Sequence, residues 1–172
     1  MGEKLRDVNL ARIVHSPLTR AAETARIIAE RQAEVPVLEP DPELREAEFS
    51  RYLQGVPYWQ IPVRRPLWVV HRARRGLLPG DETIAALGER VLHVMRRLAR
   101  DHPDETAAIV SHADPLNAAY ILIEGRPHNE REMSRSGIGK AGMVQIEMEG
   151  ETPKSWVYIA PPHVDKPTTA AA

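Results

Sequence analysis

Two short stretches hold the residues best suited to bind an oxyanion. In the first, Ile13-Val14-His15 runs into Ser16-Pro17-Leu18-Thr19-Arg20-Ala21-Ala22-Glu23-Thr24-Ala25. An apolar run stops at a Ser-Pro and a helical pattern starts at once. Serine is a favoured N-cap and proline a favoured first helical residue, so Ser16 is expected to cap this helix and Arg20 to lie in its first turn. Free backbone N–H groups, the positive end of the helix dipole and a forked guanidinium converge there, which suits a phosphate. In the second stretch, Ala107-Ala108-Ile109-Val110-Ser111 reads as a buried strand, and His112-Ala113-Asp114 leads into a helix opening Pro115-Leu116-Asn117. An imidazole at that junction can donate to a phosphoryl oxygen and stabilise developing charge. Taken alone, Arg20 reads equally as a surface arginine paired with Glu23, and His112 as a histidine hydrogen-bonded at a strand end.

The elements that must bring these two junctions together follow from the hydrophobic pattern. Residues 10–15 and 106–111 read as strands. Residues 17–33, 83–100 and 115–124 read as helices, the second with an apolar stripe of Ile84, Leu87, Val91, Val94 and Leu98 and a cap at Asp81 or Thr83. On the third, Leu116, Ala119, Tyr120 and Ile123 are expected to face inward. Val35-Pro36-Val37-Leu38 reads as a short extended segment. Residues 142–148 and 155–160 flank Glu149-Gly150-Glu151-Thr152-Pro153, which predicts a hairpin at a sheet edge. Strands alternating with helices indicate an α/β fold, a three-layer sandwich with a mainly parallel sheet. In such a sheet the loops after the strand C-terminal ends share one rim, so Arg20 and His112 can face one pocket. The domain is read as residues 1–163, with 48–80 as a proline- and arginine-rich insertion of short helices and 164–172 as a disordered tail.

These residues resemble the signature of a known family. Ser16-Pro17-Leu18-Thr19-Arg20-Ala21-Ala22-Glu23-Thr24-Ala25 is similar to the S-P-L-x-R-A-x-x-T-A pattern of the histidine phosphatase superfamily, the phosphoglycerate mutase-like phosphatases. Leu44-Arg45-Glu46 resembles the L-x-E segment that supplies that family's acid. Pro79-Gly80-Asp81-Glu82-Thr83 is loosely similar to its G-E-S segment, and Val110-Ser111-His112 resembles the strand end bearing its second catalytic histidine. The four segments keep the family's order. The resemblance implies a phosphomonoester phosphatase or phosphomutase acting through a phosphohistidine. Arg20, His112 and Ser16 would hold the phosphate, His112 would also be catalytic, and Glu46 would be the general acid that protonates the leaving alkoxide. Glu43 and Glu48 are near rivals for that role. No metal or other cofactor is implied, because cationic side chains supply the charge. The insertion at 48–80 would cap the site; the alternative is a surface excursion packed by its aromatics.

The family's nucleophile belongs to an R-H-G at the end of a leading strand. No Arg-His-Gly occurs here, and Met1–Val8 resembles the end of the family's first helix. The first β-α unit is therefore expected to be missing and the chain to be inactive as it stands. Loss of a strand from inside a sheet also predicts self-association. Two alternatives stay open: a catalytically dead module that binds a phosphorylated ligand, and an unrelated α/β domain whose Ser-Pro-Leu junction is coincidental.

Other candidates are weaker. His15, before Ser16, and Asp114, after His112, are rim candidates; Asp114 either caps its helix or, turned inward, disfavours a highly charged phosphate. Ser134, Arg135 and Ser136 are candidates for a minor rim contact. His71, His93, His102, His128 and His163 read as surface or packing residues, with no His-Glu-x-x-His spacing to suggest a metal. A net charge of −1 gives no reason to expect nucleic acid or an anionic membrane as partner, so the expected partner is a small phosphorylated substrate or inorganic phosphate. With no run of 18 apolar residues there is no expected membrane span, and with no cysteine neither disulfides nor thiolate metal sites are available. The cytoplasm is the default compartment.

Overall fold

The computed structural model describes residues 2–49, 52–53, 55–135, 137–139 and 141–161. The expected tail, His163 and Ser136 lie outside them. In chain order the elements are α1 (Gly2–Leu5), β1 (Arg12–His15), α2 (Thr19–Ala29), β2 (Val37–Pro40), α3 (Ile61–Ala73), α4 (Ile84–Asp101), β3 (Ala107–Val110), α5 (Ala113–Ile123), α6 (Glu130–Arg135), β4 (Met143–Glu149) and β5 (Thr152–Ile159). Short 3-10 turns cover Pro42–Leu44 and Tyr58–Gln60.

The layering is set by two neighbouring residues. Ile13 and Val14 on β1 are both fully buried, and successive strand residues point to opposite faces. Ile13 packs with Leu10 and with Ala25, Ile28 and Ala29 of α2. Val14 packs with Leu44, with Val91, Leu92 and Val94 of α4, and with Ala119 of α5. The sheet is thus covered on both faces, as parallel sheets require. β1 is its centre: it pairs in parallel with β2 on one side and β3 on the other, in the order β2-β1-β3. The fold is α/β with a parallel sheet, as expected.

Several boundaries and one connection differ from expectation. β1 begins at Arg12 rather than at residue 10, and α2 runs only from Thr19 to Ala29. The hairpin β4–β5 is antiparallel as expected but forms a separate ladder; among the described residues it does not join the edge of the β1 sheet. Among its described residues the insertion holds the short 3-10 turn at Tyr58–Gln60 and one 13-residue helix, α3. It is moored by His71, whose Nδ1 lies 2.9 and 2.8 Å from the two carboxylate oxygens of the fully buried Asp81. Phe49 and Trp68 meet the His71 ring edge-on, at centroid distances of 5.1 and 5.8 Å. With Asp81 committed to His71, Thr83 caps α4, its hydroxyl accepting from Ala86 N–H at 3.1 Å.

On α5 the expected Leu116, Ala119 and Ile123 pack on the core, and Pro115, Asn117, Ala118 and Ile121 are buried as well. α4 approaches α5 closely, with Gly88 standing over it. A Cβ built on Gly88 would lie 2.9 Å from both the carbonyl carbon and the carbonyl oxygen of Ala118. Backbone cannot yield as a flexible side chain can. In an open helix Gly→Ala gains about 1 kcal/mol. Here overpacking against backbone costs about 1–3 kcal/mol, which offsets or exceeds that gain, so Gly88→Ala is expected to lower the unfolding free energy in urea by up to about 2 kcal/mol. A stabilised variant would show that α4 and α5 do not pack this closely.

Candidate active site

Parallel pairing of β1 with β3 aligns His15 with Val110, and Ser16 N–H donates to the Val110 carbonyl at 2.9 Å. The two strands therefore end side by side. Their following helices, α2 and α5, point their positive N-termini at the same region. The guanidinium of Arg20, second residue of α2, donates from Nε to Nδ1 of His112 at 3.0 Å, across 92 positions of sequence.

That bond determines the state of the imidazole. Arginine has no acceptor, so Nδ1 must be bare and the ring neutral, with its proton on Nε2. Nε2 lies 2.8 Å from Ser16 Oγ and donates to it. Burial pushes the His112 pKa below the ordinary imidazole value; Glu46 opposes this, and Arg20 and Arg90 add to it. Glu46 Oε2 stands 3.7 Å from Nδ1, but a bare nitrogen makes no ion pair there. The carboxylate's partner is Arg20, whose Nη2 donates to Oε2 at 3.2 Å. Its other oxygen accepts from Ala47 N–H at 3.1 Å.

Four of the sequence candidates, Ser16, Arg20, Glu46 and His112, thus form one connected cluster. Ser16 and His112 are buried, whereas the Arg20 side chain is 62% and that of Glu46 34% exposed. Of the three neighbouring glutamates, Glu46 is the one that reaches the cluster. Glu43 pairs with His93 at 2.8 Å, and Glu48 meets Glu82 through its backbone. An open cavity of about 500 Å³ borders Glu46 and continues past Glu48 and Glu82.

Some roles need correction. Ser16 does not cap α2: the N-cap position is Leu18, with no side-chain cap. The Ser16 hydroxyl instead joins His112 and accepts from Leu18 N–H at 3.3 Å. Asp114 is neither cap nor inward charge. The cap position of α5 is His112, again without a side-chain cap, and Asp114 pairs with Arg75, beyond the end of α3, at 2.8 Å. His15 is buried and donates from Nδ1 to the carbonyl of Ser16 at 2.9 Å, so it braces the strand end rather than forming an open rim. Ser134 and Arg135 bond within α6, to Glu130 and Glu132. Among the described residues no group of three or more His, Asp or Glu is placed to hold a metal, and no helix is long and apolar enough to cross a membrane.

Comparison with known proteins fits this geometry. The profile of the histidine phosphatase superfamily, branch 1, matches residues 1–158. The chain belongs to this superfamily. A curated relative, the uncharacterised phosphatase PhoE of Bacillus subtilis, is 27% identical over 150 residues, which is 87% of this chain and 70% of that protein. Among solved structures, YhfR of Bacillus stearothermophilus is 24% identical with a TM-score of 0.75, covering 89% of this chain and 75% of its own. The mycobacterial glucosyl-3-phosphoglycerate phosphatase Rv2419c is 22% identical with a TM-score of 0.73, covering 93% and 80%; a complex of that enzyme with inorganic phosphate is also known. These structural matches establish a shared fold, and the family is that of phosphatases.

Sequence reasoning missed Arg90 and Ser111 at this site. Ser111 Oγ donates to the Leu44 carbonyl at 2.8 Å, tying the acid's segment to the end of β3. Its adjacency to His112 was the available signal.

The lowered His112 pKa has a signed consequence. The unfolded chain takes up a proton as pH falls through about 6.5, before the folded imidazole does, so protonation favours unfolding. The His112 contribution to stability is present above that range, is lost as pH drops from about 6.5 towards the folded pKa, and levels off below it. Urea melts of the parent and of His112→Asn between pH 8 and 5 should show a shallower decline for the variant; parallel curves would contradict a neutral buried imidazole.

Proposed function

We propose that the chain binds the phosphoryl group of a small phosphate monoester in the Arg20–His112–Ser16 cluster. Glu46 stands where it can protonate the leaving oxygen. The observation that carries this reading is the direct Arg20–His112 contact between two βα corners. In the absence of a ligand the Glu46 carboxylate occupies the guanidinium. A pair this exposed contributes at most about 1 kcal/mol, whereas charge-assisted hydrogen bonds to a phosphate contribute about 1.5–3 kcal/mol each, so phosphate displaces it. The guanidinium then holds two oxygens in its plane, and the two helix N-termini add favourable dipole ends.

In the complete reaction a histidine nitrogen attacks phosphorus in line. An N–P bond forms and the P–O bond to the leaving group breaks, while Glu46 gives its proton to the departing oxygen. Water, giving a proton to the Glu46 carboxylate, then attacks phosphorus and breaks the N–P bond, releasing inorganic phosphate and regenerating the imidazole and the acid. The attacking histidine is not one of the residues placed here, and no Arg-His-Gly occurs in the sequence. We therefore infer that this chain binds phosphate without sustained turnover. His15 is not read as a replacement nucleophile, because a phosphoryl acceptor must lie in line with the leaving oxygen and His15 is buried at the strand end, held to the Ser16 carbonyl. Among the described residues the two ladders, β2-β1-β3 and β4-β5, leave unpaired strand edges. Unpaired edges of this kind favour association between copies.

Three experiments bear on this reading. Arg20→Ala should weaken inorganic phosphate binding by about 10-fold or more, as expected for loss of charge-assisted bonds, in calorimetric titration near neutral pH. An unchanged affinity would remove the phosphate site. Nitrophenol release from p-nitrophenyl phosphate should not exceed that of Arg20→Ala; release well above it would refute the inferred lack of turnover. In light scattering after size exclusion the chain should run larger than a monomer, and a monodisperse monomer with a cooperative melt would count against the open edges.

A further inference from the structure

We infer that Arg90, on α4, is the positioning residue of Glu46. The inference rests on the phosphate-site reading above and adds the device that holds the acid in place. The Arg90 guanidinium is engaged on every side. Nε and Nη2 form a fork on Glu82, at 2.6 and 3.0 Å. Nη1 donates to the carbonyls of Glu43 and Arg45, the latter at 3.0 Å, and Nη2 reaches the Glu46 carbonyl at 3.5 Å. Three carbonyls from one four-residue segment thus converge on a single cation, whose side chain is 19% exposed.

Glu82 does more than neutralise that cation. Its own N–H donates to the Glu48 carbonyl at 3.2 Å, and Oε2 accepts from Glu48 N–H at 3.4 Å. Residues 43–48 are therefore gripped by Arg90 at one end and by Glu82 at the other, while Ser111 and the fully buried Leu44 hold the side facing β3. Beyond the turn at Pro42–Leu44 the segment has no regular structure of its own, so these contacts impose its conformation. Glu46 can meet Arg20 Nη2 at 3.2 Å only while that conformation lasts. Lysine would supply the charge of Arg90 but not its fork. The same arrangement accounts for the loosely matched Gly80-Asp81-Glu82 segment, because Glu82 orients the arginine that orients the acid.

A merely structural Arg90 would lower the melting temperature and leave the coupling between Glu46 and a bound anion intact. The test is a double-mutant cycle on the full chain, read by calorimetric titration of inorganic phosphate at pH 7. Glu46→Gln removes a carboxylate that competes for Arg20 and should tighten binding by at least about twofold, the lower end of coupling between contacting residues. In an Arg90→Met background the same substitution should change affinity by clearly less than that. Arg90→Lys should behave like Arg90→Met. Should Arg90→Met fail to fold, Glu82→Gln, which keeps the cation but breaks its fork, should reduce the Glu46 effect. The inference is overturned if Glu46→Gln has no effect in the parent, if its effect survives undiminished in Arg90→Met or Glu82→Gln, or if Arg90→Lys matches the parent. Loss of the whole reading is recognised separately: in that case Arg20→Ala leaves phosphate affinity unchanged. If Arg20→Ala weakens binding while the cycle shows no coupling, the inference about Arg90 alone falls.

Discussion

One N–H donated by Arg20 to a bare imidazole nitrogen governs the chemistry of this molecule. It joins residues that the chain keeps far apart, forces His112 into a single neutral tautomer and directs that ring's remaining proton at Ser16. A cation and a neutral imidazole then stand together without mutual repulsion. Burial favours the same outcome, since desolvation disfavours a charged imidazole. The site is thus preorganised by hydrogen bonding rather than by accumulated charge.

The scaffold makes that bond possible with little material. Four residues of β1 suffice because both of its edges are paired and both of its faces are covered. Parallel pairing brings the C-terminal ends of β1 and β3 level, so two helices start from one rim. Gly88 lets α4 lie close against α5, and α4 in turn carries the arginine that grips the acid's segment. Packing and chemistry are therefore linked through one helix: residues that fill the core on one side of α4 set the position of polar groups on another.

Much of this was legible in the residue pattern. The strand–turn–helix junctions at Ser16 and His112, the α4 stripe and the hairpin all appear, because apolar periodicity and Ser-Pro or Thr capping signals are local. What was not legible depends on contacts between distant segments. Ser16 looks like an N-cap in a window of ten residues; only the approach of His112 gives its hydroxyl another partner. Asp114 looks like a helix-start acid, and nothing nearby in sequence points to Arg75. Arg90 lies outside the apolar stripe of α4 and so reads as a solvated arginine, although its partners are carbonyls 44 to 47 positions earlier. The close contact of α4 with α5 at Gly88 depends on an interhelical distance, which no single-helix pattern encodes.

The tether from Arg75 to Asp114 and Glu130 ties the segment after α3 to the starts of both α5 and α6. Asp114 stands two residues beyond His112, so swinging α3 outward would strip a carboxylate of its counter-ion close to the imidazole. The placement of α3 and the charge balance of the first turn of α5 are thus linked through a single guanidinium.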